Sequence, residues 1–152
     1  MRTTPPALNG QAIGEASAVL RRLLETEFAA ATGTSFHEWT VLNGVATSGP
    51  PVEEQTLVAF LANGLQVDPS AIAQVIDSLD AAALVRRSSA TALELTSAGQ
   101  ERHARLRQLA TDLTTELQAG IPTEDLAIAG QVLADLTAKA TARLQRGGAS
   151  AG

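Results

Sequence analysis

Apolar side chains recur three and four residues apart near the start of the chain. Ile13, Ala16, Leu20, Leu23, Leu24 and Phe28 fall on one stripe, which predicts a first helix stopped by Thr32 and Gly33. Ser35 to Glu38 has the spacing of a capping box, in which a hydroxyl and a carboxylate satisfy each other's free backbone donors. It opens a second helix whose Phe36, Trp39, Leu42 and Val45 are expected to face inward, until Ser48-Gly49-Pro50-Pro51 ends it. A third helix, from about Glu53 to Leu65, carries Leu57, Phe60, Leu61 and Leu65 as its buried stripe, with Asn63-Gly64 weakening its last turn. Asp68 then reads as a cap and Pro69 as a first helical residue, where the missing N–H costs nothing. The fourth helix turns Ile72, Val75, Ile76 and Leu79 inward.

The period changes at Leu84. Leu84-Val85 and Ala92 to Leu95 are short strand-compatible runs around the polar Ser88 to Thr91, which predicts a small hairpin. Ser97 and Gln100, again at capping-box spacing, open a fifth helix with the stripe Leu106, Leu109, Ala110, Leu113 and Leu117. Gly120 to Thr123 interrupts it. A sixth helix carries Leu126, Ala129, Leu133, Leu136, Ala140 and Leu144, a spacing suited to packing along another helix. Residues 1–10 and 147–152 hold little to bury and are expected to be flexible termini.

Short helices followed by a hairpin form the layout of a winged helix-turn-helix, in which the helix before the hairpin enters a major groove. The flanking helices carry apolar stripes too long for so small a head to cover, and mutual burial in a two-fold dimer is the simplest solution. The expected fold is therefore mainly α (α+β), a single domain over residues 11–146. Residues 36–96 form the winged helix-turn-helix, and residues 11–31 and 97–146 form the dimerisation helices.

Composition agrees with one helix-rich globular subunit: 152 residues, 45% hydrophobic and only 3% aromatic. The absence of cysteine excludes disulfides, thiol nucleophiles and cysteine-based metal sites. No secretory leader or membrane-length apolar run is evident, so a soluble cytoplasmic protein with no membrane partner is expected. Phosphate-cradling, dinucleotide, nucleophile-elbow and zinc-protease motifs are all missing, and no enzyme is expected. His37 and His103 are the only histidines and have no metal-binding spacing, so neither a metal nor a cofactor is expected. The net charge of -5 is the reverse of what a nonspecific polyanion binder carries.

Several segments, in this order and spacing, resemble the multiple antibiotic resistance regulator (MarR) family. They are Glu38 to Leu42, Leu61-Ala62 with Leu65, Val67 to Ser70, Ile76 to Leu79, Leu84 to Arg87, and Leu95 to Gly99, within a resemblance that spans about Ala12 to Leu144. The resemblance implies a homodimeric DNA-binding transcriptional regulator, often a repressor released by a small ligand. It makes Pro69 to Ala81 the recognition helix, with Ser70, Ala71 and Gln74 facing the groove. Gln74 is the candidate base reader, because its amide donates and accepts together. Arg86 and Arg87 would meet phosphates, with Ser88, Ser89 and Thr91 adding neutral hydrogen bonds.

The family's ligand pocket, between the head and the dimer helices, falls near Arg22, Phe36, His37, Trp39 and His103. A small aromatic or anionic effector could stack on Trp39 there. By residue type alone, Phe36 and Trp39 read more simply as core plugs. A ligand beside Trp39 would act by changing the separation of two recognition helices on a pseudo-palindromic operator.

The chain departs from the family in two places. Only nine residues separate Val85 from Leu95, and the Asp-x-Arg signature of the family's wing is absent. From Phe36 to Thr96 the only bases are Arg86 and Arg87, against seven acidic residues. Phosphate neutralisation dominates nucleic-acid affinity, so this acidic head keeps a rival expectation open. The rival is a winged-helix dimer that has lost DNA binding and serves as a ligand-binding or protein-interaction module.

Overall fold

The computed structural model describes residues 6–149. Of the expected flexible termini, 1–10 and 147–152, residues 1–5 and 150–152 lie outside the described residues. Two compact units are present, Met1–Leu113 and Thr114–Gly152.

The elements are α1 (Gly10–Thr32), α2 (Phe36–Thr47), β1 (Val52–Glu53), α3 (Glu54–Leu65), α4 (Pro69–Ala81), β2 (Val85–Arg87), β3 (Ala92–Leu95), α5 (Ser97–Gln118) and α6 (Thr123–Ala149). Their starts follow side-chain chemistry. Asn9 accepts from the Ala12 amide and begins α1, and Gly33 ends it in the left-handed conformation that glycine adopts without strain. At α2 the capping box forms in full, with Ser35 Oγ accepting from the Glu38 amide and the Glu38 carboxylate accepting from the Ser35 amide. Asp68 accepts from both the amide and the hydroxyl of Ser70 and starts α4 beside Pro69. Those two bonds, the hydroxyl's first, hold the Asp68 carboxyl below the usual carboxylate range.

The three strands pair antiparallel in the order β1-β3-β2. Val52 lies opposite Leu93, Val85 opposite Leu95, and Arg86 opposite Glu94. Strand β1 was not expected: two residues carry no period, and what holds them is Val52 buried in the core opposite Leu93. The core gathers α2, α3, α4 and the sheet around Leu42, Leu57, Ile72, Ile76, Leu79 and Leu93, with Phe28 from α1 and Leu106 from α5.

Two expectations need correction. Phe60 is 73% exposed, because the buried face of α3 centres on Leu57, Leu61 and Ala62, and at about 100° per residue Phe60 points well away from it. Thr96, not Ser97, caps α5: its Oγ1 accepts from the Gly99 amide at 3.0 Å and donates to the Ala83 carbonyl at 2.6 Å. The lead-in is already helical at Gly10. The tail is helical through Ala149. In α6, no residue is buried, and Ile128, Val132, Leu133, Leu136 and Leu144 are exposed.

Ala83, in the turn between α4 and β2, has φ 58°, a left-handed conformation that side chains with a Cβ disfavour. Ala83→Gly is expected to raise stability by about 0.5–1 kcal/mol, read as a higher urea midpoint at unchanged slope. An equal or lower midpoint would show that the turn carries no such strain.

Candidate functional site

The exposed face of α4 carries Ser70 and Gln74, while Ala71 is half-buried. Ser70 is engaged with the cap Asp68 through its hydroxyl. The Gln74 amide makes no hydrogen bond among the described residues, so its donor and acceptor are free to read an adjacent pair of atoms. A concavity of about 580 Å³ opens between the starts of α3 and α4 and the wing, and Ser70, Arg87 and Thr91 line it together with Glu54. Ser88 sits at the wing's near end, its amide bonded to the Ala92 carbonyl. Ser89 Oγ accepts from the Ala92 amide and tightens the loop.

Both wing arginines have partners inside the head. Arg86 pairs across the hairpin with Glu94. Arg87 is enclosed by carboxylates. Its Nε and Nη2 engage the two oxygens of Glu54 at 2.9 and 2.8 Å, Nη2 also reaches Asp77 at 2.7 Å, and Nη1 reaches Asp80 at 3.1 Å. The bonds to Glu54 and then to Asp77 raise the pKa of Arg87 above its already high value. Arg87 thus ties β2 to the start of α3 and to two turns of α4. The hairpin register was the signal for the Arg86–Glu94 pair, since setting Leu95 opposite Val85 sets Glu94 opposite Arg86. No local signal pointed to the Glu54 contact, which joins residues 33 apart in sequence.

The residues expected around a ligand separate into two groups. Trp39 lies between Phe28, at 5.3 Å and 53°, and His103, stacked at 5.4 Å and 11°. It is half-buried and packs against the core, as the plainer assignment had it. Phe36 and His37 face a different arginine from the one expected: Arg21 lies 4.6 Å above the Phe36 ring and donates to His37 Nε2 at 3.4 Å. Arg22 is exposed one position further round the helix. Arg102, on α5, donates to Thr34 Oγ1 at 3.0 Å and so holds the α1–α2 turn.

Of the expected ligand residues, His103 lines a cavity of about 310 Å³ under the wing. Its Nε2 donates to Asn43 Oδ1 at 3.1 Å, since an amide oxygen only accepts. Burial, and then the charge of Arg107, lower its pKa from the ordinary 6.5. The unfolded chain therefore takes up a proton near pH 6.5 and the folded chain only at lower pH, so stability falls as pH falls through that window. Replacing His103 with glutamine is expected to flatten the melting temperature between pH 7 and about pH 5.5. A slope as steep as that of the parent protein would assign the titration to another group.

No family model and no curated protein sequence matches the chain. Solved structures do match it. The transcriptional regulator PA3341 aligns with a TM-score of 0.73 at 24% identity, over 87% of this chain and 97% of its own. A MarR/EmrR family transcriptional regulator from Acinetobacter sp. ADP1 gives 0.70 at 16% identity, over 86% and 93%. The MarR family protein Rv2887 of Mycobacterium tuberculosis, solved in complex with DNA, gives 0.69 at 21% identity, over 86% and 98%. The same protein has been solved with salicylic acid. At these identities the likeness is one of fold. The chain has the winged-helix fold of the MarR family regulators.

Proposed function

We propose that this chain is a DNA-binding transcriptional regulator, a homodimeric, ligand-responsive repressor that acts in the cytoplasm on a pseudo-palindromic operator. The observation that carries the reading is the exposed face of α4, capped by Asp68 and bearing the unengaged amide of Gln74, in a fold that Rv2887 uses in complex with DNA. In this reading Gln74 reads a base edge. Ser70, Ala71 and Thr91 line the approach, Ser88 lies beside them at the wing, and Arg86, two-thirds exposed, meets phosphate. Arg87 is assigned to holding the head together rather than to phosphate, because three carboxylates occupy its donors.

The dimer is supported by α6, whose 27 residues include none that is buried and whose exposed leucines and isoleucine recur at helical spacing. A second copy covers such a stripe by symmetry, and a pseudo-palindromic operator asks for two α4 helices at the spacing of successive major grooves, about 34 Å. The salicylic acid bound to Rv2887 supports a small aromatic or anionic effector. An effector acts here only by binding the two α4 spacings with different affinity.

The occupied wing arginines favour a second reading, a dimer of this fold that binds ligand or protein and not DNA. Mobility shift on DNA upstream of the protein's own gene, at two salt concentrations, separates the two. A specific shift is expected, which Arg86→Ala weakens on all sequences and Gln74→Ala blurs at one position of each half-site, by about 1–3 kcal/mol. A folded dimer that shifts no DNA at low salt would leave the second reading.

A further inference from the structure

The cavity under the wing sets Arg86, the phosphate contact of the regulator reading, beside groups that reading does not use. Arg86 and Glu94 stand opposite each other on β2 and β3, and their pairing is lopsided: Nε and Nη2 of Arg86 converge on Oε1 of Glu94. Arg86 Nη1 and Glu94 Oε2 make no hydrogen bond among the described residues. Arg86 and Glu94 both line the cavity, so a guanidinium and a carboxylate, each with one such unengaged atom, border the same space. Val45, Ala46 and Leu95 supply an apolar wall. His103, neutral at pH 7, adds no charge.

This set of walls selects among ligands. A simple anion drawn to Arg86 meets Glu94, and a simple cation drawn to Glu94 meets Arg86, so each has a repulsion set against its attraction. A molecule bearing both charges a few atoms apart satisfies both open groups and leaves the Arg86–Glu94 pair intact. The volume, about 310 Å³, lies at the small end of ligand cavities and suits a compact molecule.

We infer that the cavity between α2, the wing and the start of α5 binds a small zwitterion with an apolar tail, of the α-amino acid class. Its carboxylate sits on Arg86, its ammonium on Glu94, and its tail lies against Val45, Ala46 and Leu95. The inference rests on the regulator reading in one respect only. Arg86 is that reading's phosphate contact, so a ligand that holds Arg86 weakens DNA binding, and DNA weakens ligand binding by the same factor.

The test is calorimetry on the full chain without DNA, with L-leucine and L-phenylalanine as probes. Each is compared with the acid that lacks the ammonium group and the amine that lacks the carboxylate. At least one amino acid is expected to bind once per chain, and its two half-charged analogues about tenfold more weakly or worse. Glu94→Gln should abolish the preference for the amino acid over its acid analogue. Ala46→Leu, which fills the apolar wall, should weaken all of the probes and serves as the deciding variant if the Glu94 change prevents folding.

The inference is overturned if neither amino acid binds a protein shown to be folded by circular dichroism, or if the acid analogues bind as tightly. A specific DNA shift without amino-acid binding overturns this site and leaves the regulator reading standing. Amino-acid binding without a DNA shift supports the site and removes the regulator reading.

Discussion

Gly99→Ala is expected to destabilise the protein by about 3 kcal/mol or more, among the largest effects of any single methyl group in the chain. A Cβ at this position would lie 1.8 Å from the carbonyl oxygen of Leu84 and 2.9 Å from its carbonyl carbon. Both are backbone atoms, so no side-chain rotation relieves the clash. The Leu84 carbonyl is itself held in place, accepting from the Thr96 amide at 3.1 Å. Thr96 in turn caps α5 through Gly99 and bonds the Ala83 carbonyl. Relief requires moving the first turn of α5 off the link between α4 and β2, which breaks these bonds together. Urea unfolding measures the loss. The control is Gly14→Ala in α1, where nothing lies within 4 Å of the added methyl and helix propensity alone predicts a gain of up to about 1 kcal/mol. Equal midpoints for the parent and the Gly99 variant would mean that the close approach does not exist in solution.

The parts of this molecule that were legible in the sequence are those encoded within one helical turn. Ser35 with Glu38, and Asp68 with Pro69, fixed the starts of α2 and α4 because a cap bonds only two or three residues ahead. The stripe Ile72, Ile76 and Leu79 fixed which face of α4 is buried, and by subtraction which face carries Gln74. Less was legible where the deciding partner was distant or the angular step small. Arg21 and Arg22 are equally basic, and only packing shows which of them meets Phe36 and His37. Phe60 fits an apolar stripe as well as Leu57 does, until α4 and the sheet define where the core lies. Trp39 and His103 are joined by a stack between α2 and α5 that no local spacing encodes. The acidic composition of the head was visible at once, but its meaning was not. Three of the seven acidic residues surround one arginine, and one more pairs with the other.

That arrangement makes Arg87→Ala the most informative charge removal. Deleting the guanidinium leaves Glu54, Asp77 and Asp80 facing one another with no cation between them, and it unties β2 from α3 and α4. The Arg87 side chain is about one-third exposed, so solvent screens part of the repulsion. The expected loss is about 1–2 kcal/mol, larger than for an isolated surface pair because three partners are stranded at once. If stranded charge is the cause, adding Asp77→Asn to the Arg87→Ala protein should recover part of the loss, whereas the same change in the parent protein should cost stability.

The DNA arm separates holding from touching. Removing one arginine–phosphate pair changes the slope of log affinity against log salt by about one unit, so a dimer deprived of one such pair per chain changes by about two. Arg86→Ala should show that change. Arg87→Ala should weaken binding with the slope unaltered, because in this structure three carboxylates already occupy the donors of its guanidinium. A slope lowered equally by both variants would mean that DNA draws Arg87 out of its carboxylate cage, and the head would then be reshaped on binding rather than set in advance.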